Sequence, residues 1–280
     1  MIAVASKPVL SLEQFSLADE GDFLNLELFT GEVYAVIGRA GSGKTLFLET
    51  VLGEQKPFCG TIVASGSIIS AEYSSGKARQ TPFGVAKAGV GKGSKRRIAD
   101  VLTALGLWDA RNVHLNKLTP GMVVACDLLP CLLSDDDLVL IDCHLDLLDP
   151  WALDGAYEEM FQLAEEGTAF IVATNRPEVA ERLGNVIVLH EGQTKFAGPV
   201  EQLVRSVEPT ELIVEADDLS TVTTMVEPFV TGIRVSGRRL VLQTEDGQEV
   251  AARLLTQGYG VVRSVVVKEP SLEDALIQLT

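Results

Sequence analysis

The sequence predicts an α/β core built on a parallel sheet and followed by a smaller α+β unit, and three observations carry that expectation. Residues 33–37 form an apolar run that empties into Gly38-Arg39-Ala40-Gly41-Ser42-Gly43-Lys44-Thr45, after which Leu46, Phe47 and Leu48 begin a helical stretch. Leu138-Val139-Leu140-Ile141 is a second apolar run, and it ends in an acid, Asp142. Strands then alternate with helices to about residue 189, the pattern of parallel strands joined by right-handed crossovers.

Taken in order, residues 9–37 read as short strands, with Gly31-Glu32 turning into the strand that feeds the glycine-rich loop. Residues 45–52 form a helix closed by Gly53. Thr61-Ile62-Val63 and Ile68-Ile69 suggest two short strands, and Ile98, Val101, Leu102 and Leu105 recur at helical spacing. Leu138–Asp142 is a buried strand whose carboxy end faces a site. Asp149 caps and Pro150 opens the next helix, whose Leu153, Ala156, Met160, Leu163 and Ala164 share a face up to Gly167. A strand over 168–173, a helix near 177–183 and a strand over 186–189 complete the series. Beyond Ser206-Val207-Glu208-Pro209, strands are expected at 211–216, 232–236, 239–243 and 261–268, with helices near 219–226 and 247–256. Residues 270–280 read as a short amphipathic helix. The expected domains are therefore 1–207 and 208–280.

Composition narrows the class. The 280 residues suit a core of about 200 plus an appendage. No run of 18 apolar residues occurs, and residues 1–10 lack the order of a signal peptide, so a soluble intracellular chain is expected. Cys59, Cys126, Cys131 and Cys143 show no paired spacing and are expected as reduced thiols, and the three His are too scattered for a metal site. A net charge of −16 argues against binding nucleic acid or anionic lipid over the whole surface.

A glycine-rich turn between strand and helix aims backbone N–H groups and a helix N-terminus at one point. There Lys44 reaches the β/γ-phosphates and the Thr45 hydroxyl ligates Mg²⁺, which implies a nucleoside triphosphate as ligand.

The order of motifs resembles the ATP-binding subunit of an ABC transporter over essentially the whole chain. Gly38 to Thr45 match Walker A, Leu118-Thr119-Pro120-Gly121-Met122 stand at the signature, and Leu138 to Asp142 stand at Walker B. Leu147-Leu148-Asp149-Pro150 occupy the D-loop and Thr174-Asn175-Arg176 the switch. The resemblance implies a RecA-like P-loop NTPase core of ABC type, with a shortened helical subdomain over roughly 74–134 and ATP and Mg²⁺ as cofactors held by residues 38–45 and Asp142. The carboxy-terminal unit ending Pro270-Ser271-Leu272-Glu273-Asp274-Ala275-Leu276 is similar to the accessory domain of ATP-binding subunits from ABC-2-type exporters. It implies membrane-spanning permease partners at the cytoplasmic face and no nucleic acid.

The departures from the family pattern are as informative. The general-base Glu is replaced by Cys143 and the switch His by Asn175, so no catalytic residue is intact. A placed carboxylate base is worth about 10²–10⁴ in rate. His144 follows where the family has Pro; adjacent strand residues face opposite ways, so Cys143 and His144 read as packing residues and not as a catalytic pair. Pro120 removes an N–H from the signature while Thr119 and Gly121 remain, and Pro130 is expected to interrupt the helix that follows.

These losses imply a degenerate subunit paired with a second, competent ATP-binding chain. A soluble nucleotide-sensing or scaffolding protein derived from the family is the alternative, and an active ATPase with another base is a third reading. Residues 74–97 are short, Gly-rich and basic, holding seven of the 23 Lys and Arg residues, and read as a solvated loop, with contact to headgroups, nucleic acid or an acidic partner as the alternative. Gln80 is the one Gln there that the Q-loop role could fall on, and Phe15 or Phe23 is the candidate for stacking on adenine.

Overall fold

The structure is a computed structural model that describes residues 7–19, 21–73, 79–89, 95–207, 210–258, 260–268 and 271–279. It opens with β1 (Leu10–Ser16), β2 (Leu24–Leu28) and β3 (Val33–Ile37), then α1 (Lys44–Leu52), β4 (Cys59–Ala64) and β5 (Ile68–Ser70). Helices α2 (Pro82–Gly89), α3 (Lys95–Ala104) and α4 (Pro120–Leu132) come next. The alternating series is β6 (Leu138–Asp142), α5 (Pro150–Glu166), β7 (Ala169–Thr174), α6 (Pro177–Leu183), β8 (Asn185–His190) and β9 (Gln193–Pro199). The remainder is α7 (Val200–Val207), β10 (Thr210–Ala216), α8 (Leu219–Val226), β11 (Gly232–Ser236), β12 (Arg239–Thr244), α9 (Gly247–Gln257), β13 (Val262–Lys268) and α10 (Leu272–Leu279). These elements form two compact units, Met1–Val200 and Glu201–Leu279, the division falling at the start of α7.

The main sheet of the first unit has the order β5-β6-β7-β3-β8-β9. Pairing is parallel from β5 through β8, and β9 runs antiparallel on the edge. Leu138–Ile141 and Ala169–Thr174 are buried on both faces, which is why both runs are continuously apolar instead of alternating. Leu138, Leu140, Ala169, Ile171 and Ala173 share a core with Phe47, Leu48 and Val51 of α1 and with Leu10, Leu12 and Phe15 of β1. The antiparallel sheet β2-β1-β4 is a separate layer. Register brings three strand ends level: Asp142 lies beside Ala173, and Ile37 beside Thr174. Everything that follows those ends is therefore delivered to one edge of the sheet.

Two expectations about the helical region need correction. Part of the basic segment is not a loop: α2 buries Val85 and Ala86, while residues 74–78 and 90–94 lie outside the described residues. Pro130 does not interrupt α4, which continues to Leu132. A Cβ on Gly89 would meet the Pro130 Cα at 2.8 Å, so α2 packs directly on α4 at the proline, a close approach that only a residue without a side chain permits.

The second unit is an antiparallel sheet of order β11-β12-β10-β13. Alternate residues Leu212, Val214, Leu240 and Leu242 turn to one face and pack against Val222 and Val226 of α8 and Val250 and Leu254 of α9.

Candidate functional site

The loop between β3 and α1 is built around its own lysine. Gly43 precedes α1 with φ 103°, a left-handed value that glycine adopts without the strain a Cβ brings. Lys44 is 6% exposed, and its Nζ donates to the carbonyl oxygens of Gly38 at 2.8 Å and Arg39 at 3.0 Å. Burial lowers the ammonium pKa below the usual lysine value, and the charges of Asp142 and Asp146 oppose that shift. The Thr45 hydroxyl donates to Asp142 Oδ2 at 2.8 Å, so the helix start and the end of β6 meet.

Two buried oxygens in this cluster have no hydrogen-bond partner among the described residues, Ser42 Oγ and Asp142 Oδ1. Unpaired buried oxygens are costly. A hydroxyl, a carboxylate and a loop carbonyl-bound ammonium at one sheet edge make a donor set suited to a phosphate and a hard cation. Beside them a groove of about 370 Å³ is lined by Leu48, Glu49, Ser70, Glu72, Tyr73 and Asp142 among others.

Past Asp142 the chain leaves the sheet abruptly. Cys143 has φ 57°, an uncommon backbone for a residue with a side chain, and its N–H donates to the Ala173 carbonyl at 2.9 Å. Burial, reinforced by the charges of Asp142 and Asp146, pushes its thiol pKa up to about 12. It therefore holds its proton at neutral pH. Asn175 Nδ2 donates to Cys143 Sγ at 3.5 Å and to Asp146 Oδ2 at 3.3 Å.

His144 does not face Cys143 as a partner, although strand alternation is not the reason, since Cys143 and His144 lie beyond the end of the strand. Its ring is fully buried and stacks on Tyr73 with centroids 4.0 Å apart, and neither ring nitrogen has a partner among the described residues. Burial lowers its pKa and keeps it neutral.

Thr119 caps α4, its Oγ1 accepting from the Met122 N–H at 3.4 Å. Pro120 then sits at the first helical position, where the missing N–H would have had no helical partner. Leu118 ends the turn before it, and a Cβ on Gly121 would lie 3.6 Å from the Leu147 carbonyl oxygen, so the start of α4 and the turn after β6 are neighbours. Asp149 is the N-cap of α5, accepting at 3.0 Å from the N–H groups of both Trp151 and Ala152.

Several residues do not lie where the sequence suggested. Gln80 is exposed, and its carbonyl accepts from the Leu115 N–H, so it is not at a strand end. The segment that leaves β5 toward Asp142 is Ala71-Glu72-Tyr73, and the Tyr73 hydroxyl donates to the Asp142 carbonyl at 2.8 Å. Phe15 is 1% exposed and packs edge-to-face on Phe47, which leaves no face for a base; Phe23 is 57% exposed. Asp146, which no motif reading singled out, accepts from Thr174 Oγ1 at 2.5 Å and from the Asn175 N–H at 2.8 Å.

Known proteins are similar to this chain in sequence and in fold. A family model for ABC transporters matches residues 22–143. The chain is 25% identical over 282 residues to the Nod factor export ATP-binding protein I of Cupriavidus pinatubonensis, covering 92% of this chain and 85% of that protein. It is 24% identical over 281 residues to the ABC transporter ATP-binding protein YhaQ of Bacillus subtilis, covering 92% of each. Among solved structures, an ATP-binding subunit of an ABC transporter superposes with a TM-score of 0.62 at 20% identity, covering 71% of this chain and 92% of that one. The cbiO1 protein of Clostridium perfringens, part of the ABC transporter complex cbiONQ, superposes at 0.57 and 18%, covering 72% and 94%. The matched residues run from before Gly38 to Cys143, and over them the chain is similar to the ATP-binding domain of ABC transporters.

Proposed function

We propose that this chain is the ATP-binding subunit of an ABC-2-type export system, that it binds Mg-ATP, and that it does not hydrolyse ATP effectively at its own site. The observation that carries this reading is a thiol, Cys143, in place of a carboxylate at the position that the family resemblance reserves for the general base, with burial raising its pKa further. Lys44 exchanges its two loop carbonyls for phosphate oxygens, while Thr45 and Asp142 are the groups suited to Mg²⁺, which supplies charge neutralisation of the phosphates when bound. Asn175 offers an uncharged amide where the family has a His. A base that is absent is worth about 10²–10⁴ in rate.

Likeness to an export ATP-binding protein over 92% of the chain supports the exporter class, because that span includes the second unit. Among the described residues no helix is long and apolar enough to cross a membrane, so transport requires separate membrane-spanning subunits at whose cytoplasmic face this chain is held. A homodimer would set two altered signatures against two sites without a base. The partner is therefore a different ATP-binding chain whose intact signature closes over nucleotide held by Lys44. Co-purification from detergent-solubilised membranes tests this. The expected product is a mixed complex whose activity depends on the partner's Glu and ignores substitution of Cys143. A transport-active assembly with this chain as its sole ATP-binding subunit would contradict it.

A further inference from the structure

The turn after β6 and the end of β7 are stitched together by one carboxylate. Asp146 accepts from the Thr174 hydroxyl, from the Asn175 backbone N–H and from the Asn175 side-chain amide. Thr174 is fully buried, and its Oγ1 also accepts from the Arg176 N–H at 3.0 Å, which carries the restraint one residue further. The second contact of the Asn175 amide is Cys143 Sγ. On the other side the Asp146 N–H donates to the Cys143 carbonyl at 3.3 Å, closing the turn on itself. Hydrogen bonds to an ionised carboxylate are about twice as strong as neutral ones.

From this geometry we infer that Asp146 is a positioning residue that locks the switch segment Thr174-Asn175-Arg176 in one conformation whether or not nucleotide is present. The inference rests on the reading that residues 38–45 hold ATP. The Asn175 amide is spent inside the chain, on Asp146 and Cys143, instead of on a phosphate. A His introduced at 175 would meet the same carboxylate, and a Glu introduced at 143 would stand between Asp142 and Asp146. The site is therefore silent for three reasons and not two. Replacing Cys143 and Asn175 alone leaves the third in place.

Amide hydrogen exchange of residues 173–178 in the full chain, with and without Mg-ATP, reads the lock directly. In the wild type the Asn175 amide exchanges slowly, and Mg-ATP leaves its rate unchanged. Asp146→Asn keeps the shape but removes the charge and one acceptor, so exchange at Asn175 rises by about tenfold or more and becomes sensitive to Mg-ATP. Thr174→Val removes only the hydroxyl and moves exchange in the same direction, which guards against a variant that fails to fold. In a Cys143→Glu, Asn175→His background, adding Asp146→Asn raises kcat for ATP at least tenfold with KM unchanged. Unchanged exchange in both single variants, or equal kcat with and without Asp146→Asn, overturns the inference. Absence of ATP binding by the wild type would instead defeat the nucleotide reading, and the nucleotide-free exchange comparison would still report on the lock.

Discussion

Thr45 and Asp142 are joined by a 2.8 Å hydrogen bond across 97 residues of sequence, from the first turn of α1 to the end of β6. The strands that deliver them, β3 and β6, are not neighbours; β7 lies between them in the sheet. The contact exists because the register brings the carboxy ends of the three strands level. Asp142 Oδ1 is buried and has no hydrogen-bond partner among the described residues, which suits the proposed role of Asp142 toward Mg²⁺.

Asp142→Asn therefore weakens ATP binding only when Mg²⁺ is present. Removing the charge costs at least about tenfold in affinity, the lower end for a charge-assisted contact. Titrations in Mg²⁺ and in excess chelator should diverge for the wild type and coincide for the variant.

Cysteine titration gives a pH prediction with a defined sign. Cys126, Cys131 and Cys143 are all pushed up from the ordinary thiol value of about 9 to about 12, chiefly by burial. A raised folded-state value contributes stability that is complete below about 9 and is lost as pH rises towards 12. Thermal unfolding should show a midpoint that falls above pH 9. At pH 8 native Cys143 should alkylate with a thiolate fraction roughly 10³ below that of the unfolded chain, measurable by mass spectrometry after timed iodoacetamide treatment.

Phe15 is a core residue, and Phe15→Ala should act as one. Loss of a buried phenyl against Phe47 costs about 3–5 kcal/mol of stability. Denaturant unfolding should show that loss. ATP affinity measured well below the unfolding midpoint should stay within about twofold of wild type.

What was legible in the sequence was whatever local pattern dictates. The phosphate loop, the buried strand ending at Asp142 and the cap pair Asp149-Pro150 each follow from residues adjacent in the chain, as do the strands and helices of the second unit. Strand β9 was missed because Gln193–Pro199 shows no clean alternation and ends in Gly198-Pro199, and an edge strand needs neither. Helix α2 was missed because its Ala and Gly residues lack an obvious apolar stripe; burial of Val85 and Ala86 against the neighbouring helices supplies what propensity does not. Asp146 and Tyr73 were invisible for a different reason. Their partners, Thr174, Asn175 and the Asp142 carbonyl, are brought to them by strand register, and nothing in the local sequence announces that.

The proposed function holds nucleotide at a site that does not turn it over. Its most direct test is a titration of the purified wild-type chain with Mg-ATP, run beside a phosphate-release assay on the same preparation, with Lys44→Ala as the control. The expected result is saturable binding that Lys44→Ala weakens by about 10- to 100-fold, the range for a lost charge-assisted contact, and phosphate release no faster than the control. No saturable binding up to millimolar ATP, or robust phosphate release that survives substitution of Cys143 and disappears with Lys44→Ala, would contradict it.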